Sequence, residues 1–366
     1  MSSASLLDPR NALLAVLAIV ALLYIGLVVR ATLRGAREGE AAAPTLGGFA
    51  TGFVTNFFDT LGIGSFATTT AIFRSKFTPA QIRQGAVVFG FVAVAGIVTA
   101  VIFAPRSGLP LIIGVICLVS LSLFLALFLS RPVSDERIPG TLNLGHTLPT
   151  IAQAFIFTTI VPVDPRTLIL LIIAAVLGAW VGAGVVARWP RRRIQMGMGI
   201  ALFIAAALLA MTLANRNPTG GTLLELTGTK LVLAFGGNVL LGALMTLGIG
   251  LYAPCMIMIY LLGMDPKAAF PIMMGSCAFL MPVASARFVR ERSFDLRASL
   301  GLLLGGVPAV LIAAFIVKSL PLTVVRWLVL VVVLYTATGL LRAARREAAK
   351  TPSPAPTGAT PGAALP

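Results

Sequence analysis

The sequence predicts an all-α, polytopic helical membrane protein with two related, inverted repeats, each carrying a glycine-broken helical hairpin. Hydrophobic residues make up 58% of the chain and charged residues 11%, and the mean hydropathy is +0.99, values outside the range of an ordinary soluble domain. The pentapeptide Thr-Leu-Gly-Ile-Gly occurs twice inside apolar stretches, at Thr60–Gly64 and Thr246–Gly250. Glycine lets a helix break, and in a membrane a break survives only when buried in protein or lining a cavity. Two matched breaks predict one shared site.

Apolar segments of about 20 residues, the length that crosses a bilayer, recur along the chain. The first is followed directly by arginines and is interpreted as a retained transmembrane anchor within residues 1–40. Two further stretches, 46–72 and 232–262, are broken by the pentapeptides. The tail 351–366 is rich in Pro, Ala, Thr and Gly and is expected to be disordered. The predicted unbroken spans are 11–30, 84–104, 109–129, 141–161, 167–187, 194–213, 269–289, 299–317 and 322–341.

The repeat extends beyond the pentapeptide. Asp164-Pro165-Arg166, an apolar span and Pro190 align without gaps on Asp295-Leu296-Arg297, an apolar span and Pro321. We therefore expect a first unit over 46–213 and a second unit over 232–342. The first unit is predicted to carry an extra helix pair within 109–161, namely 109–129 and 141–161.

The loop charges predict how the two units are oriented. Lys and Arg are enriched in cytoplasmic loops, and all the basic loops fall on one side if each broken stretch enters and returns to the same side. An odd number of crossings then separates the hairpins, so the second unit is inverted and the two glycine tips meet near the midplane, as in many transporters. We expect a multi-pass protein of the cytoplasmic membrane. The basic loops are 30–37, 74–83, 131–137, 188–193, 287–297 and 342–350.

The charged and metal-binding residues exclude several classes of partner. The net charge is +16, but Lys and Arg lie in short loops between apolar spans, which indicates topology and argues against nucleic acid as a partner. Cys117, Cys255 and Cys277 lie in apolar segments without C-x-x-C spacing, and His146 is the single histidine. Neither a disulfide framework nor a zinc site is expected, and no cofactor is predicted.

Four features of the chain resemble the TauE/SafE sulfite exporter-like permeases, also called the sulfur-anion or 4-toluenesulfonate uptake permease group. They are Gly52–Gly64 (GFVTNFFDTLGIG), Gly242–Pro254 (GALMTLGIGLYAP), the Gly263–Pro266 turn and the final Arg-rich loop with its two closing spans. Family members usually continue the motif with three glycines, whereas Ser65-Phe66 and Leu251-Tyr252 stand here. The resemblance implies passage of a small sulfur-containing or carboxylate anion, such as sulfite or an organosulfonate, across the cytoplasmic membrane.

An anion can be held at such a break without a full positive charge. A half-helix that begins there offers unpaired backbone N–H groups and the positive end of its dipole. Glycines let the anion approach, and hydroxyl and amide groups add donors. The alternative is that these small residues serve close helix packing. The predicted substrate-binding residues are Asn56, Thr60, Gly62, Gly64, Ser65, Thr68, Asn238, Thr246, Gly248, Gly250 and Tyr252.

Asp59 immediately precedes the first motif. An acid inside an apolar segment costs roughly 2.5 to 3.5 kcal/mol on insertion scales and is retained there for a reason. We predict a proton-coupling or gating carboxylate, neutral when an anion is close and charged when the site is empty. The alternative is a structural carboxylate bonded to backbone donors or to an arginine. His146 is interpreted as a polar group at a helix end, with a titrating role as the alternative.

The function predicted from these observations is a secondary anion transporter, whose partners are a small anionic substrate and the lipid bilayer. The alternative is a non-transporting membrane scaffold or a channel-like subunit of a larger assembly. An enzyme is not expected, because the chain has a single histidine, no H-E-x-x-H and no Ser-His-Asp arrangement that the spacing supports. A nucleotide-driven pump is disfavoured because no G-x-x-x-x-G-K-[ST] sequence is present. A homo-oligomer stays open, since small residues on the spans suit internal packing or a dimer interface equally.

Overall fold

The computed structural model describes residues 8–62, 64–74, 80, 109–134, 136–186, 191–214, 221–245, 251–319 and 322–350. Within these residues the protein is all-α, as predicted, and the one β-bridge joins Leu223 and Met264. The predicted span 84–104 and the tail 351–366 lie outside the described residues. The helices are α1 (Pro9–Arg37), α2 (Leu46–Thr60), α3 (Ser65–Arg74), α4 (Leu109–Leu129), α5 (Ile138–Ile160), α6 (Pro165–Val186), α7 (Arg191–Leu213), α8 (Gly228–Met245), α9 (Tyr252–Leu261), α10 (Ala269–Glu291), α11 (Leu296–Ser319) and α12 (Leu322–Lys350).

Four of the described helical segments are long and apolar enough to cross a membrane: Pro9–Arg37, Gly228–Met245, Pro266–Glu291 and Leu296–Ile316. Large apolar side chains on their outer faces are exposed; Leu23 of α1, for example, is 71% exposed, and Val283 of α10 is 73% exposed. Such side chains are favourable against lipid and costly against water. The predicted polytopic helical membrane fold is confirmed.

The first glycine motif breaks the helix as the sequence predicts. Helix α2 ends at Thr60 and α3 begins at Ser65, and between them Gly62 and Gly64 have φ angles of +94° and +85°. Only glycine adopts this region without a steric penalty. At Gly62 a Cβ atom would lie 2.9 Å from the Met256 Cε atom, the far end of a flexible side chain that can move aside. The turn therefore requires glycine on conformational grounds.

The second motif also lies between two helices. Helix α8 ends at Met245 and α9 begins at Tyr252, while residues 246–250 lie outside the described residues. Helices α3 and α9 have 10 described residues each, which corresponds to about 15 Å of helix. Helix α9 is followed by a described turn at Leu262 and Gly263, so it is too short to cross a hydrocarbon core about 30 Å thick. Residues 75–79, which follow α3, lie outside the described residues.

Helix α2 packs against α11 through glycines. The backbones of Gly48 and Gly301 are in contact, and a Cβ atom at Gly52 would lie 2.6 Å from the Leu302 Cα atom. Gly305 of α11 is equally close to the backbone of Phe49. Small residues spaced four apart let membrane helices approach to backbone contact. The side chains near the end of α2 are thereby held in a fixed position against α11.

Helix α8 packs against α6 in the same manner. A Cβ atom at Gly242 would overlap the backbone of Ala175, and one at Gly178 would overlap the backbone of Val239. The Asn238 Nδ2 atom donates to the Leu171 carbonyl oxygen at 2.7 Å.

Helix α5 lies between the two halves, in contact with α10 and α11. Helix α1 packs across α5, where the Tyr24 hydroxyl donates to the Leu144 carbonyl oxygen. Helix α12 packs against α7. This arrangement brings α2, α3, α5 and α9 together at the first break.

Candidate functional site

A set of buried polar side chains, which we call the polar cluster, surrounds the first break. Helices α2, α3, α5 and α9 each contribute to it, and every member is at most 7% exposed. In an apolar interior, buried polar groups are costly unless they bond to one another. The members are Asn56, Asp59, Thr60, Ser65, Thr69, His146, Gln153 and Tyr252.

Asp59 is the central acceptor of the polar cluster. Its Oδ1 atom accepts from the Ser65 backbone nitrogen at 2.6 Å, and its Oδ2 atom accepts from the Gln153 Nε2 atom at 3.0 Å. The Tyr252 hydroxyl lies 3.4 Å from the same Oδ2 atom. Ser65 is the first residue of α3, so the carboxylate stands at the N-terminus of this helix, where negative charge is favoured. The bond to a backbone donor is the one that the structural alternative for Asp59 predicts.

Gln153 joins α5 to the end of α2. Its Nε2 atom also donates to the Thr60 Oγ1 atom at 2.8 Å, and the Thr60 hydroxyl donates to the Asn56 carbonyl oxygen at 2.7 Å. The Gln153 Oε1 atom lies 3.3 Å from the Tyr252 hydroxyl. A hydroxyl has a single hydrogen, so Tyr252 donates to either Gln153 or Asp59 and holds neither at a short distance.

His146 extends the cluster along α5. Its Nδ1 atom is 3.1 Å from the Asn56 Oδ1 atom, and its Nε2 atom is 2.9 Å from the Thr69 Oγ1 atom. Asn56 Nδ2 donates to the Gly52 carbonyl at 2.7 Å, so its oxygen faces the histidine. These partners assign the hydrogen to Nδ1 and leave Nε2 to accept from the hydroxyl. The interpretation of His146 as a helix-end group is wrong, because the residue lies inside α5 and is fully buried.

No arginine or lysine side chain pairs with Asp59 among the residues that the structure describes. Positive potential at the break comes instead from N–H and O–H donors and from the end of α3. The Gly64 position faces open space, since no heavy atom lies within 4 Å of where its Cβ atom would be. A small anion approaching there would meet the donors that Asp59 now occupies.

The other predicted binding residues have different surroundings. The Thr68 hydroxyl donates within α3 to the Ser65 carbonyl at 2.8 Å. Asn238 lies at the interface of α8 and α6, and its buried Oδ1 atom has no hydrogen-bond partner among the residues that the structure describes. Of the predicted set, Asn56, Thr60, Ser65 and Tyr252 are brought together around Asp59, and Gly62 and Gly64 form the turn. Thr246, Gly248 and Gly250 lie outside the described residues.

Sequence reasoning did not select Gln153 or Thr69, and it gave His146 another role. Gln153 lies inside an apolar span, and the cost argument that selected Asp59 applies to a buried amide too. Thr69 carried no such signal, because threonine satisfies its hydroxyl on its own helix in many membrane proteins. Within the described residues, no group of three or more His, Cys, Asp or Glu side chains is placed to hold a metal ion.

Comparison with known proteins gives one result for the C-terminal part of the chain. The family model described as sulfite exporter TauE/SafE matches residues 230–365. The match bears out the predicted resemblance to this family for that part of the chain. TauE/SafE proteins are membrane permeases for anions, so the match indicates transport of a small anion through the membrane. No curated protein and no solved structure matches the chain.

Proposed function

We propose that this TauE/SafE protein is a secondary transporter that moves a small sulfur-containing or carboxylate anion, such as sulfite or an organosulfonate, across the cytoplasmic membrane. The observation that carries the proposal is the position of Asp59. Its carboxylate occupies the N-terminus of α3 and accepts from Ser65 and Gln153. A sulfite or sulfonate oxygen needs the same donors in the same place.

Asp59 and the substrate would therefore compete for one set of donors. Two unit charges 4 Å apart repel by about 4 kcal/mol at an effective dielectric constant of 20. The charged Asp59 carboxylate and the substrate anion therefore cannot occupy the break together without this electrostatic cost, unless Asp59 takes up a proton. The carboxylate would hold the donors in the empty protein, and its protonation would release the Ser65 N–H to the arriving anion. One proton would then accompany each anion, and the gradients would set the direction.

Contacts between the two halves support a site shared by both breaks. Tyr252 begins α9 two residues after Gly250, the last residue of the second motif, and its hydroxyl lies 3.4 Å from the Asp59 Oδ2 atom near the first motif. An inverted repeat would bring the two breaks together in this way, so the contact supports the proposed shared site.

The helix bounds support the repeat and suggest where the first unit is expanded. When the first unit is aligned on the second with Asp164 on Asp295, both ends of α5 match the ends of α10, and the first residues of α6 and α7 match those of α11 and α12. When Thr60 is aligned on Thr246, α2 corresponds to α8 and α3 to α9. We infer that the extra segment of the first unit lies between α3 and α5 and includes α4. This differs from the extra pair 109–161 expected from sequence.

Packing at the equivalent positions supports the same correspondence. Gly52 and Asn238 are equivalent at the Thr60–Thr246 offset, and Leu171 and Leu302 are equivalent at the Asp164–Asp295 offset. Gly52 contacts the Leu302 backbone, while Asn238 donates to the Leu171 carbonyl. Equivalent positions are thus in contact in the two halves, Gly52 with Leu302 and Asn238 with Leu171. This agreement supports a structural repeat over a chance resemblance of two apolar stretches.

The test is flux of labelled sulfite, sulfate, sulfoacetate and oxalate into proteoliposomes, with and without a pH gradient. We expect saturable flux of a sulfur anion that a proton gradient drives. Gln153→Leu should abolish it, because it removes the amide that binds both Asp59 and Thr60. Gln195→Leu, on α7 and outside the polar cluster, is the control. Absence of flux for every anion, in protein shown to be folded, would refute the proposal.

A further inference from the structure

Three sulfur-bearing residues form what we call the sulfur cluster: Met245 at the end of α8, Cys255 in α9 and Cys277 in α10. The Cys277 Sγ atom lies 3.6 Å from the Met245 Sδ atom. Cys255 is fully buried and Cys277 is 2% exposed, and the two thiols interact electrostatically. The Tyr252 hydroxyl also interacts with the Cys277 thiol.

The sulfur cluster occupies the positions that correspond to part of the polar cluster. At the offset between Thr60 and Thr246, Met245 corresponds to Asp59 and Cys255 to Thr69. At the offset between Asp164 and Asp295, Cys277 corresponds to His146.

The neighbouring residue is aromatic in both halves of the chain. Phe66 packs on the His146 ring with centroids 5.9 Å apart, and Tyr252, which is equivalent to Phe66, interacts with Cys277. The polar side chains Asp59, Thr69 and His146 of the first half are thus replaced in the second half by the sulfur-bearing side chains Met245, Cys255 and Cys277.

Thiolate and thioether groups are soft ligands that select copper(I) and related cations over hard ones. Two sulfur atoms bound to one metal at about 2.3 Å are about 3.8 Å apart at a tetrahedral angle and about 4.0 Å apart in a trigonal three-ligand site. The Cys277 Sγ and Met245 Sδ atoms are 3.6 Å apart. A shift of a few tenths of an ångström would let the two atoms share one ion.

We propose that Met245, Cys255 and Cys277 form a binding site for a soft monovalent cation, with copper(I) as the probe. A structural zinc site normally has four ligands, and this group supplies three sulfur atoms, a number that suits copper(I). Binding replaces the thiol protons of Cys255 and Cys277 by the metal, so that two sulfur–copper bonds form, two S–H bonds break and two protons are released to solvent. The proposal assigns a second ligand to the protein and does not rest on anion transport. Sequence spacing excluded a metal site, because these residues meet only in the fold.

The test is anaerobic titration of the purified full-length protein with copper(I) against a chromogenic copper(I) chelator, followed by X-ray absorption. We expect one copper per protein, with sulfur neighbours at about 2.3 Å. Met245→Leu, which nearly preserves volume, and Cys277→Ser should each weaken binding at least tenfold. Binding should also weaken as the pH falls, since protons compete for the thiol.

Control variants and flux measurements separate the outcomes. Cys117→Ser in α4 and Met211→Leu in α7 remove sulfur outside the cluster and should leave copper binding unchanged. Absence of stoichiometric binding, or equal loss in the control variants, would overturn the proposal and leave the cluster as apolar packing. Copper binding without anion flux would refute the transport function alone, and flux without copper binding would refute this proposal alone.

Discussion

Replacement of Asp59 by asparagine tests the competition between this side chain and the substrate. The asparagine side chain would keep an oxygen that can accept from the Ser65 backbone nitrogen, now 2.6 Å from Asp59 Oδ1. Its amide would face Gln153, whose own amide can rotate to present Oε1 instead of Nε2. The variant therefore keeps the hydrogen bond that caps α3 and a hydrogen bond to Gln153 of α5, and it should fold.

The expected effect on substrate affinity follows from the charge removed. Repulsion between Asp59 and an anion about 4 Å away is about 4 kcal/mol at an effective dielectric constant of 20, and each 1.4 kcal/mol is about a factor of ten in affinity. Part of this repulsion is already relieved by protonation in the wild type. We therefore expect Asp59→Asn to bind sulfite at least tenfold more tightly at neutral pH.

The dependence on pH should change with the affinity. In the wild type, binding should strengthen as the pH falls, because a protonated Asp59 releases its donors, whereas Asp59→Asn should bind equally at all pH values. Sulfite binding by calorimetry and counterflow in proteoliposomes, both from pH 5.5 to 8.5, measure the two effects. Sulfite itself titrates in this range, so an organosulfonate with constant charge is run in parallel.

A matched variant is available for this experiment. Asp295 caps α11 by accepting from the Ala298 backbone nitrogen at 2.8 Å, and it lies outside the polar cluster. Asp295→Asn should change neither affinity nor pH dependence. Weaker or unchanged anion binding in Asp59→Asn, with the wild-type pH profile retained, would refute the competition and favour a purely structural cap.

Two further predictions concern stability. Gly52→Val should prevent α2 from packing on α11, because its Cβ atom would lie 2.6 Å from the Leu302 Cα atom and backbone cannot yield as a side chain can. We expect loss of the monodisperse peak in detergent chromatography, whereas Gly26→Val on α1, with no atom within 4 Å of its Cβ position, should keep it. Arg292→Ala should cost less than about 1 kcal/mol, since the pair with Glu38 is exposed. A larger loss in thermal unfolding, or one that persists in 1 M salt, would contradict this.

The parts of the fold that depend on local chemistry could be predicted from the sequence. The helix breaks could be predicted from glycines inside apolar stretches. The spans could be predicted from hydropathy, and the predicted span 109–129 has the same bounds as α4. Asp59 could be selected because a membrane acid is costly wherever its partners lie. Each of these inferences needs only neighbouring residues.

The rest of the site depends on contacts between distant parts of the chain. Gln153 and His146 reach Asp59 and Asn56 from another helix, and no periodicity in a single sequence specifies which faces of two apolar helices meet. The role of Tyr252 depends on the approach of the second break to the first. The spans of both units are equally hydrophobic, so hydropathy could not locate the extra segment of the first unit. The helix lengths favour a position between α3 and α5.

The difference between the two halves has a physical consequence for the proposed mechanism. Asp59 can carry a proton, whereas its equivalent Met245 cannot, so only the first break can couple anion binding to protonation. The Tyr252 hydroxyl lies 3.4 Å from Asp59 Oδ2 and also interacts with the Cys277 thiol, and its single hydrogen cannot serve both at once. A thiolate bound to copper(I) accepts a hydrogen bond more strongly than a neutral thiol does, so copper(I) at Cys277 would draw the Tyr252 hydroxyl away from Asp59 and disfavour the charged form of Asp59. Bound copper should then strengthen anion binding to the wild type, and it should leave anion binding to Tyr252→Phe unchanged.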